Sequence, residues 1–420
     1  GVFLEGNTSR AGGGENAELR DYIMARLLWD TKVDAKRDLD EFHEAYYGKA
    51  AKPMRAYFDL MHEQVRMPPN GLGHHLWIFD RPSAPYLNDE FLTKATVLFQ
   101  QAESAADTDD IRNRVRKARL SLDYVKLTRA KKFIVDGDSF RPNDLDGLKD
   151  RWNTFTASVE RFGITNLSEH VLVPKDREEF ASHMHPYKLA TLENDRLKIH
   201  VLPELGRVIH LIDKRSGKDL LQEPEPGSRF YPDLGGLTVA AYSDYVARPW
   251  NATWSIAPEA SAGAITLAGV CENGLRMRRT LRLEDAFLRT ETVLENGSQS
   301  PLEALVRSSW DVDPGSLESA AVTYRKQDGG MVEKALIVPE KQPNGTEYYS
   351  GGDQPDGIWR VAGRSGVPAG VNRFPKDQVG RCFLNWTAKS ENRVTMSVAS
   401  HRKVLQPGER LTLEADYGVE

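Results

Sequence analysis

The sequence predicts an α+β protein of several domains: a short parallel-type strand at the start, an α-helical bundle, then an antiparallel β-sandwich. Three observations carry this. Apolar residues recur at helical spacing through the first part of the chain, and after Pro186 the period changes to two with turn dipeptides between the runs. The opening Gly1-Val2-Phe3-Leu4-Glu5-Gly6-Asn7 is a brief apolar run that ends in an acid and an amide. Such a run reads as a buried parallel strand, and nothing nearby in the sequence supplies its neighbours. The expectation is therefore a carboxy-terminal part of a larger protein, divided as 1–14 (strand and loop), 15–165 (helices), 166–186 (linker) and 187–420 (sandwich).

The helices follow from their stripes. Glu15 to Trp29 carries Leu19, Tyr22, Ile23, Leu27 and Leu28 on one face, and Asp38 to Tyr47 continues with Leu39, Phe42 and Tyr46 before Gly48 as a stop. Met54, Tyr57, Phe58, Met61 and Val65 repeat the pattern between Ala50 and Val65. A long helix from Asp109 to Ile134, with Ile111, Val115, Ala118, Leu122 and Val125 inward, suits packing against Phe91, Ala95, Leu98 and Phe99. The last helix spans Asp144 to Phe162. The charged segment 164–186, which carries three histidines, reads as the linker.

Strands are expected at Leu197–Val201, Gly206–Ile212, Ala264–Val270, Leu275–Leu283, Phe287–Glu295, Leu302–Val312, Arg381–Trp386, Arg393–Ser400 and Leu411–Tyr417. Lys214 to Lys218 reads as a hairpin turn, and Asn296-Gly297 and Pro407-Gly408 as turn dipeptides. Strands separated by turns rather than helices argue for an antiparallel sandwich.

Composition bounds the function. The 420 residues, 40% apolar and 28% charged with a formal net charge of −5, have the balance of a globular protein with more than one core. No basic stripe recommends nucleic acid, and no apolar stretch approaches the roughly 18–20 residues that span a bilayer. Cys271 and Cys382 give no zinc spacing and read as buried and free, with pairing as the alternative if strands bring them together; no metal or cofactor is expected.

Two stretches resemble known families. Arg20-Asp21-Tyr22-Ile23-Met24-Ala25-Arg26-Leu27-Leu28-Trp29-Asp30, with Asp40-Glu41-Phe42-His43-Glu44-Ala45-Tyr46-Tyr47-Gly48, resembles the end of the domain of unknown function 4838. That domain occurs in bacterial proteins related to glycoside hydrolase family 163 and, more distantly, to the family 20 hexosaminidases. The resemblance implies that the opening strand is the last strand of a (β/α)8 barrel whose remainder, with the principal catalytic acids, lies outside this chain. It also implies a periplasmic or secreted location. In the second half, Leu192-Glu193-Asn194-Asp195-Arg196-Leu197-Lys198, Leu202-Pro203-Glu204-Leu205-Gly206-Arg207-Val208 and the closing Asp416-Tyr417-Gly418 look like a galactose-mutarotase-type supersandwich. That fold occurs in free-standing epimerases and as an accessory domain of glycosidases, so it does not fix an activity.

Glycoside hydrolysis uses two carboxyl groups, or one acid helped by the substrate's acetamido group. Barrel chemistry sits at the carboxyl ends of strands, which makes Glu5 and Asn7 candidate sugar contacts; the alternative is that Glu5 pairs with Arg10 or caps the following helix. In the loop from Pro68 to Trp77, Trp77 is a candidate stacking surface and His74 and His75 candidate hydroxyl partners, against a Trp that caps the bundle and histidines on a surface turn. In the sandwich, His200, His210, Glu204, Asp311 and Asp313 are the groups from which an epimerase acid and base would be drawn, and Trp250, Trp254 and Trp310 are a possible sugar platform or plain packing. The expected function is the carboxy-terminal portion of a glycan-cleaving hydrolase, inactive alone, with a carbohydrate-binding sandwich or an aldose epimerase as alternatives. The expected partners are an oligosaccharide and the barrel.

Overall fold

The computed structural model describes residues 14–66, 82, 84–168, 171–222, 235–257, 263–337, 344–363, 370–387 and 393–420. The expected opening strand, and with it Glu5 and Asn7, lies outside the described residues, as do His74, His75 and Trp77. The chain divides into two compact units: the helices through His185, and a strand-rich unit made of Ile134–Arg141 with the chain from Pro186.

Helices α1 (Ala17–Trp29), α2 (Ala35–Tyr47), α3 (Ala51–Arg66), α4 (Asp89–Ala105), α5 (Asp109–Arg129), α6 (Leu145–Arg161) and α7 (Val173–His183) build the first unit. Their starts are written in short polar side chains. Asp34 accepts from the Lys36 and Arg37 amides, Asn88 from Phe91, Thr108 from Ile111 and Asp144 from Gly147. Gly48 ends α2 at φ 50°, a conformation that costs a glycine little. Tyr47, Met54, Tyr57, Phe91, Ala95, Phe99, Val115, Leu122 and Val125 form one core, so the expected stripes of α2 to α5 do meet. On α1 the stripe is spent unevenly. Leu19 is buried, whereas Leu28 and Trp29 are 57% and 93% exposed.

Two expectations need correction. The helix after Asp109 ends at Arg129, and Phe133–Asp136 (β1) and Ser139–Pro142 (β2) form a hairpin around Gly137-Asp138, with Gly137 at φ 60°. The Asp136-Gly137 dipeptide is a hairpin signal that outweighs the helical spacing before it. The segment read as linker contains the short strands β3 (Asn166–Ser168) and β4 (Val171–Leu172) and then α7, whose sparse stripe of Val173 and Phe180 is hidden among charges. Phe180 stacks on Trp152 of α6 with ring centroids 4.4 Å apart.

In the second unit β5 (Tyr187–Lys188) pairs with β2. The sandwich follows as β6 (Ala190–Glu193), β7 (Leu197–Leu202), β8 (Arg207–Asp213), β9 (Lys218–Asp219), β10 (Leu237–Tyr242), β11 (Ala252–Ile256), β12 (Ala264–Cys271), β13 (Leu275–Glu284), β14 (Phe287–Asn296), β15 (Leu302–Val312), β16 (Ala321–Lys326), β17 (Met331–Ala335), β18 (Asn344–Tyr349), β19 (Pro355–Ala362), β20 (Gly370–Arg373), β21 (Val379–Thr387), β22 (Arg393–Ser400), β23 (Lys403–Leu405) and β24 (Arg410–Val419). One sheet has ten strands in the order β18-β21-β22-β15-β10-β8-β7-β6, with β23 and β9 beside β15 and β8; the other has nine in the order β11-β12-β13-β14-β24-β20-β19-β16-β17. Inner faces of both sheets share one core, with Trp310, Trp359 and Tyr417 fully buried in it. This is an antiparallel sandwich, as the period-two runs predict.

Two polar groups lock this core. Asn296 is fully buried; its amide donates to the carbonyls of Ser300 and Leu405, each at 2.8 Å, and its oxygen accepts from the Ser298 amide and hydroxyl. Arg279 of β13 reaches the Gly206 carbonyl at 2.9 Å while fully buried, and burial lowers its affinity for the proton to a pKa of about 10.

Candidate functional site

A strand that is inner-facing at every second residue leaves the others outside. On β15, Val306, Trp310 and Val312 enter the core, so Arg307, Ser309 and Asp311 point outward. The register extends this row by row. Asp311 is opposite Thr395, which is opposite Asn385; Ser309 lies between Thr238 and Ser397, and Ser397 is opposite Phe383, itself opposite Tyr348. The outer face of the ten-stranded sheet therefore carries hydroxyls, an amide, a carboxyl group, arginines and aromatic rings together.

Its geometry is built rather than scattered. Thr395 donates its hydroxyl to Asp311, and the Ser397 and Ser309 hydroxyls are 2.8 Å apart. Burial pushes the Asp311 carboxyl up, countered by the Arg393 charge, the Thr395 hydroxyl and Arg207. The Arg307 guanidinium lies 4.0 Å from the Phe383 ring and 4.5 Å from Tyr242, and donates to the Tyr245 carbonyl at 2.6 Å. Arg381 lies 4.4 Å from the Tyr245 ring and 5.2 Å from Tyr348. Leu305, Phe383 and Ala399, with Tyr242 and Tyr245, make a small apolar cluster beneath these cations.

A second cluster stands on β7 and β8. His200 and His210 are opposite each other with ring centroids 5.3 Å apart, and His210 Nδ1 is 2.6 Å from Asp219. Asp219 also accepts from the amides of Leu211 and Leu221, which fixes it. His200 is buried, its Nδ1 has no hydrogen-bond partner among the described residues, and burial, with the nearby His210 and Lys198, pushes its pKa down to about 4. The two histidines singled out in the sequence are thus brought together. The sequence reading missed Asp219, Arg307 and Arg381, although Asp219 follows the hairpin turn and both arginines alternate with core residues.

The other sequence candidates separate. Glu204 and Asp313 are exposed. Trp310 is wholly inside the core, and Trp254 lies against Gly206 and Gly269, where an added Cβ would come within 3 Å of its ring. Trp250 and Trp254 both pack against the core, so packing is the role of all three tryptophans. Among the described residues no three His, Cys, Asp or Glu side chains are grouped to hold a metal ion, and Cys271 and Cys382 are buried and unbonded. No helix of the described residues is long and apolar enough to cross a membrane.

A family model for a domain of unknown function, DUF4838, matches residues 1–59, and a second, DUF5107, matches residues 176–229. No curated protein matches the chain. Among solved structures, the Slr1438 protein from Synechocystis sp. PCC 6803 is 9% identical at a TM-score of 0.44, covering 55% of this chain and 95% of its own. A galactose mutarotase-like protein from Lactobacillus casei ATCC 334 is 9% identical at 0.42, covering 55% and 100%. A putative aldose 1-epimerase from Escherichia coli K12 is 13% identical at 0.40, covering 56% and 99%. The chain is thus similar to DUF4838 over its first 59 residues, and it has galactose mutarotase-like structural neighbours.

Proposed function

We propose that the outer face of the ten-stranded sheet binds carbohydrate, and that the chain acts as a sugar-binding part of a carbohydrate-active protein. The observation that carries this reading is the run of register-matched polar rows, Asp311 with Thr395 and Ser309 with Ser397, beside the Tyr242, Tyr245, Tyr348 and Phe383 rings. Sugars are held by fixed hydroxyl, amide and carboxyl partners together with an aromatic surface, and a rigid sheet supplies both without a conformational change. An ordinary solvated sheet face has no reason to keep a carboxyl group in a desolvated position. The test is retention on a carbohydrate array, followed by calorimetry with the best glycan. Asp311→Ala is expected to weaken binding about tenfold or more. An array that retains nothing would remove the reading, and sugar mutarotation accelerated by the chain in a polarimeter would replace it with an epimerase.

A second reading has the chain flanking the catalytic barrel of a hexosaminidase-like glycoside hydrolase, with Glu5, Asn7, His74, His75 and Trp77 contacting the glycan. It is supported by the match over residues 1–59 and by Leu28 and Trp29, whose exposure leaves an apolar helix end for another domain to cover. Release of chromophore from aryl N-acetylhexosaminides by a complex of this chain with a barrel domain, reduced by Trp29→Asp, is the expected result.

A further inference from the structure

The chain as a whole carries a net charge of −5, yet its candidate sugar face is cationic. Arg307, Arg381 and Arg393 stand with Asp311 on the outward positions of β15, β21 and β22, and Arg207 is close enough to act on the same carboxyl. Arg307 and Arg381 share one aromatic cage: Tyr245 stacks against Arg381, its carbonyl receives Arg307, and its ring is 6.5 Å from the Phe383 ring beside Arg307. Both Nε atoms are buried and without a hydrogen-bond partner among the described residues. Asp311, which accepts from Thr395, stands in a different row from Arg307, four residues along β15. Two guanidinium groups in a partly desolvated place repel each other unless an anion joins them. Consistent with this, burial and then the Arg381 charge loosen the hold of Arg307 on its proton, against the pull of Tyr242.

We propose that Arg307 and Arg381 receive the anionic group of a charged sugar, the carboxylate of a uronate or a sulfate or phosphate ester, with the sugar ring against Tyr348. The proposal rests on the carbohydrate-binding reading and adds the ligand's charge. A planar guanidinium offers N–H donors in a fixed fork, which suits it to grip a planar or tetrahedral oxyanion with two parallel bonds. Tyr348 is 64% exposed, so its ring is available for a sugar.

The experiment is calorimetry of the full chain against oligogalacturonate, a sulfated oligosaccharide and hexose 6-phosphate, each beside its neutral counterpart, at low and high salt, with inorganic sulfate, inorganic phosphate and acetate as sugar-free probes. At least one charged sugar is expected to bind about tenfold or more tighter than its neutral counterpart, with the advantage shrinking as salt rises. Arg381→Gln is expected to abolish that advantage, and Arg381→Lys to restore part of it, since lysine returns the charge without the fork. Equal affinity for charged and neutral sugars would overturn the inference and leave carbohydrate binding standing. No binding of any sugar would overturn both. Sugar-free anions that bind as tightly as the charged sugars would overturn the assignment to a sugar. An unchanged urea midpoint in both variants ties their effects to the site.

Discussion

Acidification should loosen the sandwich through one imidazole. His200 is 7% exposed, faces the His210 ring and holds its proton only below a pKa of about 4, against 6.5 for an unperturbed ring. Between these values the unfolded chain binds more protons than the folded one. The stabilisation is therefore fully present above pH 6.5 and is lost as pH falls toward 4. The difference corresponds to ~3 kcal/mol at about 1.4 kcal/mol per pH unit, and solvent screening leaves ~1–2 kcal/mol. Urea titrations across this range, followed by tryptophan fluorescence, should show that loss in the wild type and a flatter profile in His200→Phe, which keeps an aromatic edge against His210 and removes the proton site. His43 of the helical unit, also pushed down by burial, is present in both proteins and cancels in the comparison. Parallel pH profiles for wild type and variant would refute the reasoning.

Four further outcomes follow from packing and burial. Asn296→Ala strands the buried Leu405 carbonyl and should cost ~2–4 kcal/mol in chemical denaturation. Asn296→Asp should cost more, because a carboxylate then faces the two carbonyls the amide served. Gly269→Ala drives a methyl group to 2.9 Å from the Trp254 ring and should cost ~1–3 kcal/mol by calorimetric melting. Asp311→Asn should raise the melting temperature at pH 7, because burial penalises the ionised carboxyl. That advantage should shrink on acidification through the raised pKa, where Asp311 takes up a proton and the penalty disappears.

The sequence was most readable where one period ran unbroken. Long strands such as Leu302–Val312 and Arg393–Ser400 match the structure end to end, because each is long enough for the period of two to show even where Leu305 and Ser308 interrupt it in the first. Short strands such as Gly370–Arg373 and Met331–Ala335 escaped, since four or five residues give too few alternations to separate from a loop. The same limit hid α7. The site was less readable than the fold. His200 and His210 stood out by residue type, but Arg307 and Arg381 are 74 positions apart and meet only because β22 lies between their strands. Asp219 gains meaning from a tight turn that returns it to His210. Register, which sequence spacing does not encode, decided each of these meetings.

The join between β14 and β24 sets how this domain must assemble during synthesis. β11 to β14 form one meander and β16, β17, β19 and β20 supply the other half of the sheet, and the two halves are bridged by residues 410–419, which the ribosome delivers after both. Until then each half ends in an open hydrogen-bonding edge, a template for misassociation that a nascent chain must survive. The closing contacts span more than a hundred residues, so collapse should be slow and late, and holding factors should matter more for yield than the stability of the finished protein.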